Sequence, residues 1–166
     1  NYLNINKISS VKKIGFTKSD RFIKLLDLHE IDKQAYIILG SFLESIALSN
    51  YIAFDSVLIK KNAIDEIGPF NESLRNGMDL EYWWRFGLLN KKPAYIDKVL
   101  MERIKYPQSL SGRGLLSLNN HLKALDSCTE PANTHNKSEL VESLHPAYRN
   151  AWQNMITACA QNGDTQ

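Results

Sequence analysis

Asp79 stands where a carboxylate can be put to use. The stretch RNGMDLEYWWRFG, residues 75–87, carries it just past a glycine-containing turn and follows it with Leu80, Tyr82, Trp83, Trp84 and Phe86. On a helix starting near Asp79, Leu80, Trp83, Trp84 and Leu88 form one stripe at i, i+3, i+4 and i+8. Tyr82, Phe86 and Leu89 cover much of what remains, so such a helix is largely buried. Its first turn offers unpaired backbone N–H groups and the positive end of the helix dipole, and both stabilise an ionised carboxylate. Two roles for Asp79 stay open. One is an N-cap, worth about 1 kcal/mol. The other is a general base, held rigidly at the edge of a cleft by a helix anchored in the core. Glu81 and Arg85 make the polar edge of the same helix, in the i, i+4 order that favours a pair.

Other chemistry-bearing residues offer less. His29, His121, His135 and His145 show no metal-ligand spacing, and no metal site is assigned. His29 falls on an amphipathic stripe, where a packed or capping role is expected. Cys128 and Cys159 are separated by polar sequence and lack a CxxC partner, so they read as free thiols in a reducing compartment. SGRG at 111–114 has two glycines but not the rest of a phosphate loop, and reads as a hinge.

The elements that must position Asp79 read as an α/β arrangement. DRFIKLLDLHEI predicts an amphipathic helix carrying Phe22, Leu25, Leu26 and His29 on one side, and DKQAYIILGSFLESI predicts a second with a more buried face. YIAFDSVLIK, rich in aromatic and β-branched residues, predicts a strand. KNAIDEIG predicts a short helix with Gly68 at C′ and Pro69 behind it. The Asp79 helix then stops near NKK and Pro93, and PAYIDKVLMERIKY predicts one or two strands ending before Pro107.

Beyond Gly112 no period-2 run remains. LLSLNNHLKALDSC reads as a helix, TEPANTHNK as a loop, and NKSELVESL as a helix with Asn136 and Glu139 spaced as a capping box. HPAYRNAWQNMITACAQNG is a last helix with Pro146 early and Gly163 late. The chain thus divides into an α/β part, 1–112, and a helical extension, 113–166. Apolar faces around Leu115, Leu122, Leu125, Leu140, Tyr148, Trp152 and Met155 must be buried, because isolated helices of this length are marginal in water. They dock either on the α/β part or on a second copy of the chain, as a homo-oligomer through the C-terminal helices.

Composition sets bounds on partners. The chain has 166 residues, 43% of them hydrophobic, enough for a real core. Twenty basic against eighteen acidic residues leave a net charge of +2, far from the concentrated positive field of a nucleic-acid binder. The longest apolar run, AYIILGSFL at 35–43, is about half the roughly 20 residues a membrane helix requires. No basic-plus-apolar leader opens the chain, which therefore reads as cytoplasmic, or peripheral to a membrane. It begins NYLNINK, without an initiator Met, and is expected to be a piece of a longer protein.

The run SVLIKKNAIDEIGPFNESLRNGMDLEYWWRFGLLNKKPAYIDKVLMERIKYPQSLSG, residues 56–112, resembles the acceptor-side half of a family 2 glycosyltransferase of the GT-A fold, the fold of nucleotide-diphospho-sugar transferases. Ile67, Gly68, Phe70, Asn71 and Glu72 fit that family's short helix and closing turn. Asp79, Glu81 and Arg85 fit its acid-opened helix, and Arg103, Ser109 and Ser111 its strand arginine and serine-rich loop. Met78 stands where a second acid usually precedes the base. Lys105 stands where many members have His, and a protonated lysine can bind phosphate but cannot ligate a metal.

The resemblance implies a partial GT-A-like half with a C-terminal helical extension. The implied reaction, as in polysaccharide biosynthesis, is inverting transfer of a sugar from a nucleotide-sugar donor to a hydroxyl of a glycan or lipid-linked acceptor. Asp79 matches the general base, and a carboxylate of ordinary pKa suffices because the hydroxyl proton becomes acidic as the new bond forms. Lys105 and Ser109 are implied substrate-binding residues, and Arg103 is implied either as a third or, ahead of that, as a structural residue. Trp83 or Trp84 could stack on a sugar ring, but adjacent aromatics on a helix point about 100° apart and at least one of them is needed for the core, so Tyr82 is the better surface candidate to face a sugar. Glu81 and Arg85 are structural support. A divalent metal, Mn or Mg, is expected only for the complete enzyme, because neither an Asp-x-Asp element nor an N-terminal βαβ half is evident here. The donor half is then expected upstream. The alternative is a non-catalytic glycosyltransferase-like domain that binds a glycan or a protein.

Overall fold

The computed structural model describes residues 2–6, 12–14, 26–48, 50–105 and 114–162. It is a mixed α/β fold with two small sheets. In the first, β1 (Tyr2–Asn6) pairs antiparallel with β2 (Lys12–Ile14) and parallel with β6 (Met101–Lys105). In the second, β3 (Leu28–Asp32), β4 (Ala35–Ile38) and β5 (Ala94–Ile96) form an antiparallel sheet in that order, with β4 and β5 separated by the helices between them.

The second sheet replaces part of two expected helices. A tight turn at Lys33 and Gln34, with Gln34 at φ 62°, folds β3 back on β4, and Asp32 Oδ1 accepts the Lys33 N–H at 2.7 Å. Tyr36 and Ile38 point inward from β4, while His29 lies exposed on β3. The apolar run of 35–39 satisfies both periods, and its aromatic and β-branched residues, bounded by the turn and Gly40, decide for strand. Residues 20–25 of the first expected helix lie outside the described residues. The helical reading survives only from Phe42, where α1 (Phe42–Leu48) starts behind Ser41, whose Oγ accepts the Glu44 N–H at 3.3 Å.

The strand expected over 51–60 is also corrected. A single 3-10 turn occupies Phe54–Ser56, and residues 57–60, extended at Val57 and Lys60, then pair with no strand among the described residues. Next comes α2 (Lys61–Ile67), ended by Gly68 at φ 84°, whose N–H bonds the Ile64 carbonyl at 2.9 Å. That is the glycine stop read from the sequence.

The Asp79 helix, α3, spans Met78–Leu88. The extension supplies α4 (Gly114–Asp126), α5 (Thr129–Thr134), a 3-10 segment over Ser138–Leu144 and α6 (His145–Asn162). TEPANT is therefore helical rather than loop. The capping box does not form: Asn136 sits at φ 53°, and the 3-10 segment starts after Lys137 without a side-chain cap.

One contiguous core joins α/β part and extension. Leu43, Ile46, Leu80, Trp84 and Leu88 pack with Leu122, Leu125, Cys128 and Leu144. Lys137 closes the end of α3 by donating to the Leu88 carbonyl at 2.9 Å and to Asn90 Oδ1 at 2.8 Å. Leu140, Tyr148 and Met155 lean on this core, but Trp152, expected to be covered, is 54% exposed. No described helix is long and apolar enough to cross a membrane.

Candidate functional site

Helix α3 is fixed from three sides. Toward α2, Arg85 forks onto Glu81, with Nε 2.6 Å from Oε1 and Nη2 3.0 Å from Oε2. Nη1 reaches the Ile67 carbonyl, which the end of α2 leaves without a helical partner, and Nη2 also reaches the Pro69 carbonyl just beyond it. The ring of Tyr82 stacks on Phe70 at 4.1 Å, and the guanidinium carbon lies 5.1 Å from the Tyr82 centroid. Toward α1, Gly87 allows contact so close that a Cβ there would lie 2.7 Å from the Leu43 side chain.

The third side is the start of α3, and α4 covers it. Gly77 begins the helix at φ 81°, a conformation suited to glycine, and an added Cβ would stand 2.7 Å from the Ala124 Cβ. The same position lies 3.8 Å from the His121 Cα and 3.7 Å from the Asn120 carbonyl. Asn76 Nδ2 donates to Ser117 Oγ at 2.8 Å, so α4 is pinned to the loop just ahead of α3.

Asp79 occupies the first turn rather than the N-cap, which belongs to Gly77. The capping role read from its position is thereby corrected. Its Oδ1 accepts only the adjacent Leu80 N–H, at 2.9 Å, and no ion pair engages it among the described residues. Glu81, two residues on, is 3% exposed and fully used by Arg85. The two acids of one helical turn thus have opposite fates: one is buried and neutralised, the other half-exposed and unpaired.

The structure brings His121 to this site, which the sequence reading had set aside. Burial pushes its imidazole below the ordinary value, and the negative charge of Asp79 works in the opposite direction. Asn76 and Ser117 were missed likewise. No spacing could have found them, because the contact joins residues about forty positions apart on separate elements.

Tyr82, expected to face a sugar, is corrected: it is 1% exposed, lying under Phe70 and against Trp83. Its Oη and the Nε1 atoms of Trp83 and Trp84 are buried without hydrogen-bond partners among the described residues. Burial of the Tyr82 phenol raises its pKa, further removing it from acid–base duty. Arg103 and Lys105 lie on β6, opposite Asn4 and Asn6 of β1. Ser109 and Ser111 lie outside the described residues. Cys128 and Cys159 are free, and burial pushes the Cys128 thiol far above its ordinary range, which makes it inert.

Among the described residues, no group of three or more His, Cys, Asp or Glu side chains converges to hold a metal ion. The arrangement can hold one carboxylate at a fixed place, with α4 of the extension packed against the start of its helix. The chain matches no family model, and comparison with curated proteins and with solved structures yields no match.

Proposed function

We propose that this chain is the acceptor-side half of an inverting glycosyltransferase of the GT-A type, in which Asp79 is the general base. The observation that carries this reading is the division of labour between the two acids of α3. Glu81 is buried and spent on Arg85, while Asp79 keeps one carboxylate oxygen without a partner among the described residues and stays half-exposed. An unpaired, rigidly held carboxylate is what accepting a proton from an acceptor hydroxyl requires.

In the reaction so read, the acceptor oxygen bonds to the anomeric carbon as the bond to the nucleoside diphosphate breaks. The hydroxyl proton passes to the free oxygen of Asp79, and the diphosphate leaves with the bonding electrons. The Arg85 clamp keeps α3 from shifting, and a displacement of about 1 Å is enough to cost such a step 10²-fold. A divalent metal, when bound, supplies charge stabilisation to the leaving diphosphate. This reading assigns metal and donor to a preceding half of a longer protein.

Residues 57–60 support that assignment. They pair with no strand among the described residues, Leu58 is 100% exposed, and a strand from a neighbouring unit would satisfy backbone groups of this segment. The acceptor in this reading is a glycan or a lipid-linked hydroxyl, and the setting is the cytoplasm or the face of a membrane. The test is hydrolysis and transfer of uridine and guanosine diphosphate sugars by the full-length gene product, with and without manganese. Metal-dependent transfer with inversion is expected. No turnover of any such donor, by folded protein with manganese, would count against the reading.

A further inference from the structure

We propose that Phe54 is the platform on which the acceptor lies, with one pyranose ring seated on its open side and a hydroxyl of that ring turned toward Asp79. This rests on Asp79 as the base, since it names what holds the substrate beside it. The warrant is a run of four aromatic rings that leads from the core to the surface. Tyr82, in the core, stacks on Phe70 at 4.1 Å, and Phe70 meets Phe54 edge-on at 5.4 Å. Phe54 in turn lies 6.2 Å from Trp83, which is only 2% exposed. The run ends at Phe54 itself, with 52% of its surface open.

Fixed placement is what makes an exposed ring a platform. Ser56 closes the 3-10 turn that carries Phe54, its N–H and its Oγ both donating to the Ala53 carbonyl, at 2.9 and 2.7 Å. Ala53 is buried, so the turn is anchored in the core. Held by Phe70 and Trp83 as well, the Phe54 ring has little rotamer freedom to lose when a ligand covers it. Trp83 follows Asp79 by four residues on α3, so the two share a face, about 6 Å apart along the axis. The base and the indole that Phe54 lies against therefore come from neighbouring positions of one fixed helix.

Two polar atoms of the cluster indicate the ligand class. Trp83 Nε1 and Tyr82 Oη are buried without hydrogen-bond partners among the described residues, and such groups are costly to leave unmet. An acyl chain or an apolar peptide side chain covering Phe54 would leave both as they are. A sugar combines an apolar C–H face, which suits the negative face of an aromatic ring, with hydroxyls around its rim that both donate and accept. Hydroxyls brought to the rim of this cluster can serve the indole, the phenol and the unpaired Asp79 oxygen alike. Phe54 thus supplies the open aromatic surface that Tyr82, buried beneath Phe70, does not.

The experiment has two parts. In the 166-residue chain, the Trp83 indole N–H signal, assigned as the one lost in Trp83→Phe, is followed during addition of methyl β-D-glucoside, methyl β-D-galactoside and methyl N-acetyl-β-D-glucosaminide. At least one of these should move the signal to saturation. Phe54→Leu, which keeps an apolar side chain but not the ring, should weaken that binding about 3- to 10-fold, and Phe54→Tyr should retain it. A signal moved by none of the three at up to about 100 mM, a range that reveals affinities well weaker than millimolar, overturns the inference. So does equal binding by folded Phe54→Leu. In the full-length gene product, Phe54→Leu should raise the acceptor KM by a similar factor and leave the donor KM unchanged. A donor KM raised alone would set Phe54 against the donor half and overturn the inference. Sugar binding that depends on Phe54, in full-length protein that performs no transfer, overturns the functional reading and leaves the platform standing. Transfer with an acceptor KM indifferent to Phe54→Leu does the reverse.

Discussion

Arg85 Nε lies 2.6 Å from Glu81 Oε1, one turn earlier on α3, and the same guanidinium donates to the carbonyls of Ile67 and Pro69. A single cation therefore neutralises a carboxylate whose side chain is only 4% exposed and ties the end of α2 to the middle of α3. The helix that presents Asp79 is thereby fixed against its neighbour. Replacing Arg85 by Ala should cost about 3–5 kcal/mol, because Glu81 is left buried and unpaired. Arg85→Lys keeps the charge but loses the fork, and should fall between the two. The double variant Glu81→Gln, Arg85→Ala should recover part of the loss. Urea unfolding of the three variants measures this.

The joint at Gly77 carries two separable costs. Alanine there must adopt a left-handed backbone, costing about 1–3 kcal/mol, and must also push aside Ala124, adding about 1–3 kcal/mol of overpacking. Gly77→Ala combined with Ala124→Gly should recover only the second part. A double-mutant cycle by denaturant unfolding reads the two parts directly.

His121 should also leave a mark on stability. Its folded-state pKa is lowered, so between that value and the ordinary value of about 6.5 the unfolded chain binds more protons than the folded one. Stability therefore falls as pH drops below about 6.5 and levels off once the folded-state imidazole is itself protonated. His121→Gln should flatten this part of the curve. Unfolding midpoints from pH 7.5 down to 4.5 test the sign, and a steeper fall in His121→Gln would contradict it.

The docking of the extension separates two residues that sequence treated alike. Leu125 is fully buried in the shared core, and Leu125→Ala should cost about 2–5 kcal/mol. Trp152 is 54% exposed on α6, and Trp152→Ala should change stability by no more than about 0.5 kcal/mol. Because the docking is within one chain, light scattering should find the mass unchanged in Leu125→Ala. A change of mass would place the interface between copies.

Sequence made the α3 helix legible because its aromatic stripe is long and admits one period, and it made the end of α2 legible because Gly68 and Pro69 punctuate it. The Glu81–Arg85 pair could be read from spacing, and a nearby carbonyl was an expected partner of Arg85, but which carbonyls it binds could not be read, since they belong to another element. Residues 35–38 were misread because a short apolar run fits helix and strand equally. Tyr82 was misplaced for a different reason: helical spacing tells which residues share a face, not which face Phe70 will cover. His121 was beyond reach altogether, since only packing of α4 on Gly77 brings it to the start of α3.

The central claim is that Asp79 accepts the acceptor's proton, and the most direct measurement is transfer turnover by the full-length gene product carrying Asp79→Asn. The account predicts a loss of about 10²–10⁴-fold in kcat, with the melting temperature and donor affinity close to those of the unaltered protein. Turnover near the unaltered value, or loss of folding instead of loss of turnover, would contradict it.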